Sequence, residues 1–78
     1  KHGALPEDYG EVVVEIPDAP GALARLFADI DDAGVNVEDV SIEHDPVRQV
    51  GFLAVHVAGD RTERLADFIV TRGWTLKR

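Results

Sequence analysis

The chain has 78 residues and a formal net charge of -7, from 15 acidic and 8 basic side chains. A single domain of this length has a core that leaves only a few kcal/mol of net stability, so we expect it to dock to a copy of itself or to a larger chain. The negative charge would repel phosphate backbones and anionic lipid, which argues against nucleic acid and membrane as partners. The chain has no cysteine, which excludes disulfides and thiol chemistry, and we expect a cytoplasmic location.

The start of the chain shows neither helical nor alternating hydrophobicity. This predicts a linker from an upstream domain over 1–10 and one domain over 11–78. The chain lacks methionine even at its first position, so we expect that a longer polypeptide was cut upstream of Lys1. A whole small protein that has lost its start methionine is the alternative.

The domain is expected to open with a strand and a helix. Apolar and acidic side chains alternate from about Glu11 to Ile16, which is typical of a strand with one buried face. A helix follows from about Pro20 to Ala33, because its apolar residues recur at helical spacing along one side, at Leu23, Leu26, Phe27 and Ile30. We expect Asp18 or Ala19 to cap this helix and Gly34 to end it.

A hairpin is predicted next. The strand from about Val35 to His44 changes the phase of its apolar positions, which indicates a bulge near Glu38-Asp39. A turn at Asp45-Pro46-Val47-Arg48 leads into a third strand, in which Leu53, Val55 and Val57 alternate with Phe52, Ala54 and His56.

The last two elements are a second helix and a short strand. We expect Asp60 to cap the helix, Glu63 to complete a capping box and Gly73 to end it, with Leu65, Phe68 and Ile69 on its inner face. A final strand is predicted over Trp74-Thr75-Leu76-Lys77. This order predicts an α+β fold, the ferredoxin-like βαββαβ arrangement, with a four-stranded antiparallel sheet and two helices on one face.

The other face of this sheet is expected to be bare. Val13, Phe52 and Ala54 would project from it and offer a moderately apolar surface to another subunit or domain, or they are ordinary surface residues. His56 shares this face, so packing there is a simpler account of it than a metal site formed with His44 and Asp45.

The joint Ile16-Pro17-Asp18-Ala19-Pro20-Gly21 is the clearest candidate site. A helix that starts there points its unpaired N–H groups into the gap after the strand, and Gly21 has no side chain to keep a ligand away. The second signal, Gly34-Val35-Asn36-Val37, lies at the far end of the same helix. Together they favour a small-molecule sensor over a catalyst.

These passages, in this element order, resemble the ACT domain, a regulatory module that binds amino acids. More narrowly, the segments Leu26-Phe27-Ala28-Asp29, Val37-Glu38-Asp39-Val40 and Ile42-Glu43-His44-Asp45, with Lys1-His2-Gly3 ahead of them, resemble the carboxy-terminal ACT domain of certain bacterial prephenate dehydrogenases. The resemblance implies a homodimer, with effector sites formed by the first strand-to-helix loop of one copy and the second strand of its neighbour.

The resemblance also implies which residues bind the effector: Asp18, Ala19, Pro20, Gly21, Ala22, Leu23, Asn36 and Val37. The helix start suits the carboxylate of a free amino acid, and the Asn36 side chain suits its ammonium. Asp18 is a further candidate for the ammonium, or simply the helix cap. Asn36 is a poor strand residue, which favours a functional role, although a turn role after Gly34 stays open.

Catalysis within the segment is not expected. The first loop has no Arg or Lys to hold a phosphoryl group, Ser41 has no base or elbow around it, and the sheet face lacks the aromatic pairs of RNA-binding proteins. No metal and no cofactor is predicted here, whereas the suspected parent enzyme uses NAD. The resemblance implies an allosteric module that senses tyrosine, the product of that enzyme's pathway, with phenylalanine as the next candidate, and the residues themselves do not choose between the two. The alternatives are a dimerisation scaffold that has lost its ligand and a stand-alone amino-acid-responsive protein.

Overall fold

Three strands and two helices make up residues 9–77, the part of the chain that this computed structural model describes. The elements in chain order are β1 (Tyr9–Ile16), α1 (Ala22–Asp32), β2 (Val37–Asp45), β3 (Val50–Ala58), a 3-10 turn (Gly59–Arg61) and α2 (Thr62–Thr71). β1 begins within the range predicted as a linker, and the remainder of that prediction lies outside the described residues.

The sheet has the order β1-β3-β2, with β3 antiparallel to both neighbours. Val37 pairs with Val57 and Asp39 pairs with His56, so Glu38 is an extra residue in β2. The bulge predicted from the phase slip is therefore confirmed. Because β1 and β2 both run against β3, they are parallel to each other, and their carboxyl ends lie at the same end of the sheet.

The core lies between one face of the sheet and both helices. Its sheet side is formed by alternate residues of β1 and β3 and its helix side by the apolar stripes of α1 and α2, namely Val12, Val14, Leu53, Val55, Val57, Leu26, Ile30, Leu65 and Ile69. The α+β class and the placement of both helices on one face are thus confirmed. Neither helix is long and apolar enough to cross a membrane, within the residues described.

The predicted four-stranded sheet is not formed, because the last segment makes only one bridge to β1. Leu76 pairs with Val14, and two backbone bonds flank that pair, from Glu15 N to Thr75 O and from Lys77 N to Val13 O, both at 2.8 Å. Trp74 cannot extend this ladder, since its N–H closes the end of α2 on Ile69 O at 3.2 Å. Residues 75–77 therefore lie beside β1 as a single bridge and not as a fourth strand.

The caps predicted for the amino termini of both helices are wrong. Gly21 occupies the cap position of α1, three residues after Asp18, and within residues 9–77 no side chain caps either helix. Asp60 lies inside the 3-10 turn rather than before α2, where Arg61 takes the cap position. A capping side chain must sit one residue before the first helical turn, and neither aspartate does.

The bare face of the sheet is less apolar than predicted. Val13, Phe52 and Ala54 do lie there, but Phe52 is only 1% exposed and Ala54 is fully buried. Lys77 Nζ lies 4.8 Å and Arg48 Cζ 5.8 Å from the centre of the Phe52 ring, so two cations cover it. Within residues 9–77, this face therefore presents no extended apolar surface for a partner to bury.

Candidate functional site

The corner between β1 and α1 presents main-chain donors to solvent. Residues 17–21 are all exposed, and Gly21 has the left-handed backbone angles φ 78° and ψ 1°. The first helical bond joins Arg25 N to Gly21 O at 3.0 Å. Among the described residues, the N–H groups of Leu23 and Ala24 donate to no backbone carbonyl and to no capping side chain. These free donors, at the positive end of the helix dipole, form the floor that the sequence predicts for an anion.

Most of the residues predicted at this corner could reach a ligand only through their main chain. The N–H of Ala19 donates to Pro17 O at 2.9 Å, which folds the loop tightly ahead of the helix. Ala22 is 1% exposed, so its methyl group belongs to the core and only its backbone can face a ligand. Leu23 is half-buried and packs against the core. Asp18 is exposed and is left as the one predicted side chain that could reach an effector's ammonium.

Arg25 is a further candidate site residue, which the sequence pattern does not single out. Its Nη1 donates to Pro20 O at 3.4 Å, and it lies 3.6 Å from where a Cβ on Gly21 would stand. The guanidinium therefore sits beside the free amides. Side chains on a helix lean toward its amino terminus, so a residue four positions after the cap reaches back over the first turn. The four-residue spacing between Gly21 and Arg25 is the sequence signal that could have identified this residue.

The second half of the predicted site lines a cavity between the carboxyl end of α1 and the start of β2. This cavity has a volume of about 390 Å³, within the range typical of small-molecule sites. Its walls are mostly apolar, formed by Phe27, Ile30, Asp31, Val35, Asn36, Val37 and Val40. Two of the predicted residues, Asn36 and Val37, are therefore on a concave surface, and the Asn36 side chain is exposed to it.

The two halves of the site are not brought together within one copy of the chain. The corner adjoins the carboxyl end of β1, whereas Asn36 lies at the amino end of β2, and parallel strands place these at opposite ends of the sheet. The 11-residue helix α1, about 16 Å long, separates them. The corner residues line neither of the two cavities described here.

A second cavity lies on the opposite face of the sheet, at the end where β1 begins. It has a volume of about 590 Å³ and is lined by Tyr9, Gly10, Glu11, Glu38, Asp39 and His56. His56 Nε2 lies 3.1 Å from Glu11 Oε2, which explains the placement of this histidine by pairing on the sheet surface. His44 and Asp45 lie at the far end of β2, and no group of three metal-binding side chains comes together within residues 9–77.

The edge strand β2 is open along its length. Seven of its nine residues are exposed, and its outer edge pairs with no other strand among the described residues. Val40 and Ile42 on this strand are 38% and 60% exposed, and Phe27 on the adjoining side of α1 is 41% exposed. An exposed edge with an apolar margin is the usual template for pairing with another strand.

Comparison with known proteins identifies the family to which this chain belongs. The family model of the ACT domain matches residues 10–67. A solved structure, prephenate dehydratase in complex with L-Phe from Arthrobacter aurescens, is similar over 97% of this chain, with a TM-score of 0.53 and 22% identity. The chain covers 29% of that protein's length, and no curated protein matches it. Since the family model spans more than half of the residues, the chain belongs to the ACT domain family.

Proposed function

We propose that this ACT domain binds a free aromatic amino acid and thereby regulates an enzyme to which it is attached. The observation that carries the proposal is the composition of the site. Free amides and Arg25 lie at one end of α1, and an apolar cavity with the Asn36 amide lies at the other. Each of these features suits a different chemical group of one free aromatic amino acid.

The effector is expected to bind by its three chemical groups. Its carboxylate would accept from the N–H groups of Leu23 and Ala24, with Arg25 beside them. Its ammonium, which has three donors and no acceptor, needs an oxygen such as Asn36 Oδ1. Its ring would fill the apolar cavity beside Phe27, where a large side chain buries more area than a small one.

A homodimer would complete the site. If two copies pair the open edges of β2 antiparallel about a two-fold axis, the start of β2 in one copy meets the end of β2 in the other. The end of β2 lies at the same end of the sheet as the corner after Ile16. Edge pairing thus brings Asn36 of one copy toward the free amides of its partner, and buries the exposed Val40 and Ile42.

The attached enzyme we propose is an NAD-dependent prephenate dehydrogenase, with tyrosine as the favoured effector and phenylalanine next. The support is the resemblance of the segments 26–29, 37–40 and 42–45 to that enzyme's ACT domain. The similar solved structure belongs to another prephenate enzyme, and it holds L-Phe. The L-Phe bound in that structure supports phenylalanine as the second candidate effector. The upstream reading frame decides the parent: a dinucleotide-binding domain supports a dehydrogenase.

Regulation then follows from a difference in affinity. An effector that prefers one arrangement of the paired domains shifts the attached enzyme toward it, by a coupling energy of typically about 1 to 3 kcal/mol. The alternative function is a dimerisation scaffold without a ligand. The open β2 edge supports that function equally well, so binding has to be measured directly.

Calorimetric titration of the chain with tyrosine, phenylalanine and tryptophan is the test. We expect saturable heat with at least one of them, with one effector bound per copy, and its loss in Asn36→Ala. A matched control is Gln49→Ala, which changes an amide in the β2–β3 turn that lines neither cavity. Absence of heat with all three amino acids would contradict sensing and favour the scaffold.

A further inference from the structure

We infer that Glu38 is a positioning residue of the effector site, which turns the Asn36 amide so that its oxygen receives the effector's ammonium. This inference rests on the proposed function and deepens it. Glu38 is not among the residues that the family resemblance assigns to the site. Its role is read from the β2 bulge and from one hydrogen bond.

The bulge is the first observation. Glu38 has no cross-strand partner on β3, because Val37 pairs with Val57 and Asp39 with His56. A residue inserted in this way changes the direction of the side chains around it, and bulges are common beside functional sites for that reason. Here the bulge comes after Val37, so Glu38 lies two positions beyond Asn36 where the regular strand pattern is interrupted, and its side chain contacts Asn36.

The hydrogen bond is the second observation. Asn36 Nδ2 donates to Glu38 Oε2 at 3.0 Å, a bond between two side chains at the surface. A carboxylate only accepts, so it selects the NH₂ side of the amide and repels the oxygen side. The two polar atoms of an amide branch from one carbon, so fixing Nδ2 also fixes Oδ1. Among the described residues no donor is hydrogen-bonded to Oδ1, which leaves it free for a ligand.

The consequence is selectivity for the ammonium. Without Glu38 the amide could turn by half a rotation and present its NH₂ group, which an ammonium cannot use. With Glu38 in place the site presents an oxygen, backed by a negative charge. The site should therefore distinguish an amino acid from the same molecule without its amine.

Two variants separate positioning from charge. Glu38→Ala removes the acceptor of Asn36, whereas Glu38→Gln retains an amide oxygen in its place and should largely restore the bond. Asp39→Ala is the matched control, because it removes a neighbouring carboxylate that accepts from its own strand, from Val40 N at 2.9 Å, and not from Asn36.

The first measurement needs no ligand. The chain has one asparagine and one glutamine, so a nitrogen–hydrogen correlation spectrum shows two side-chain amide pairs, from Asn36 and Gln49. We expect Glu38→Ala to shift the Asn36 pair and leave the Gln49 pair in place, and Asp39→Ala to shift the Asn36 pair much less. An Asn36 pair that is unmoved in Glu38→Ala overturns the inference.

The second measurement compares phenylalanine with 3-phenylpropanoate, which lacks only the amine. In Glu38→Ala we expect the affinity for phenylalanine to fall by about tenfold, as for loss of a hydrogen bond to a charged group, and the affinity for 3-phenylpropanoate to stay the same. Equal losses for both ligands, or an equal loss of phenylalanine binding in Asp39→Ala, overturn the inference while leaving amino-acid sensing intact. A wild-type chain that binds no aromatic amino acid overturns the proposed function, and the role of Glu38 with it.

Discussion

Replacement of Gly21 by alanine tests whether the corner after β1 is both a strained turn and a binding surface. Gly21 has φ 78°, in the left-handed region, and Gly73, just after α2, has φ 96°. A Cβ on Gly21 would meet only Arg25 Nη1, at 3.6 Å, and a Cβ on Gly73 would meet nothing within 4 Å. Steric clash is therefore small at both positions, and the backbone conformation decides the stability.

The expected magnitude follows from two opposing terms. A side chain in the left-handed region costs about 1–2 kcal/mol, and the smaller conformational freedom of alanine in the unfolded chain returns about 0.4–1 kcal/mol. The net loss is roughly 1 kcal/mol for Gly21→Ala and for Gly73→Ala alike, which lowers Tm by about 4–8 °C in a domain of this size. Thermal unfolding followed by circular dichroism measures it.

Effector binding separates the two variants. The methyl group of Gly21→Ala stands beside the free amides, where the carboxylate is expected, so the affinity should fall by about tenfold. Gly73 lies after α2, on a turn that lines neither cavity, so Gly73→Ala should bind as the wild type does. An equal loss of affinity in both variants would refute the corner as a binding surface, and an unchanged Tm in both would refute the strain argument.

Three further experiments test other contacts, each with its own control. Asp29→Ala removes the acceptor of Trp74 Nε1 at 2.7 Å and of Arg72 at 2.6 Å, which should cost about 1–3 kcal/mol of stability and shift the emission of the chain's only tryptophan. Asp32→Ala is the control, because Asp32 pairs with Arg72 and, among the described residues, not with Trp74, so the emission should stay in place. The N–H of Arg48, and then that of Val47, lowers the pKa of Asp45 below its ordinary value of 3.8. The ionised Asp45 therefore stabilises the folded state above pH 3.8, and this contribution is lost as the pH falls through the folded pKa. Unfolding measured below pH 4 should show this loss of stability in the wild type and not in Asp45→Ala. Arg25→Ala should weaken effector binding in calorimetry and Arg25→Lys should retain part of it, while Arg64→Ala on α2 serves as the control that should change nothing.

Hydrophobic spacing predicted most of the fold, because burial on one face imposes a period that the chain can show directly. The alternation in β1 and β3 was predicted correctly for this reason, as were Leu26 and Ile30 in the stripe of α1, whereas Phe27 from the same predicted stripe is 41% exposed. The bulge was predicted too, since an extra residue must reverse the parity of the apolar positions after it, as it does between Val37 and Val40. The helix stripe, the strand alternation and the bulge are all set by the order of apolar residues along the chain and by burial of one face of each element.

What the sequence did not predict depends on single contacts between distant residues. Phe52 is covered by Lys77, which is 25 positions away along the chain, and no spacing rule foresees such a contact. The missed amino-terminal caps are instead local: Gly21 takes the left-handed conformation and α1 starts only after it, and Asp60 lies inside the 3-10 turn ahead of α2. The last strand failed because Trp74 is held by α1 and α2 instead. The environments of Phe52 and Trp74 were thus decided by tertiary structure over local preference.

The separation of the two half-sites leads to a last prediction, that effector affinity depends on protein concentration. One copy presents the free amides and Asn36 at opposite ends of the sheet, so the amides that suit the carboxylate and the Asn36 side chain that suits the ammonium cannot engage one amino acid within that copy. If the site forms only across a paired β2 edge, the effector binds the dimer better than the monomer, and by linkage it must also strengthen the dimer.

Titrations at rising chain concentration should then show tighter apparent binding, and sedimentation should show more dimer when effector is present. A charge at the edge, as in Ile42→Asp, should weaken pairing and binding together, although Ile42 lines neither cavity. An affinity that is the same at all concentrations, while sedimentation shows the monomer–dimer equilibrium shifting over that range, would place the whole site within one copy and refute this reasoning.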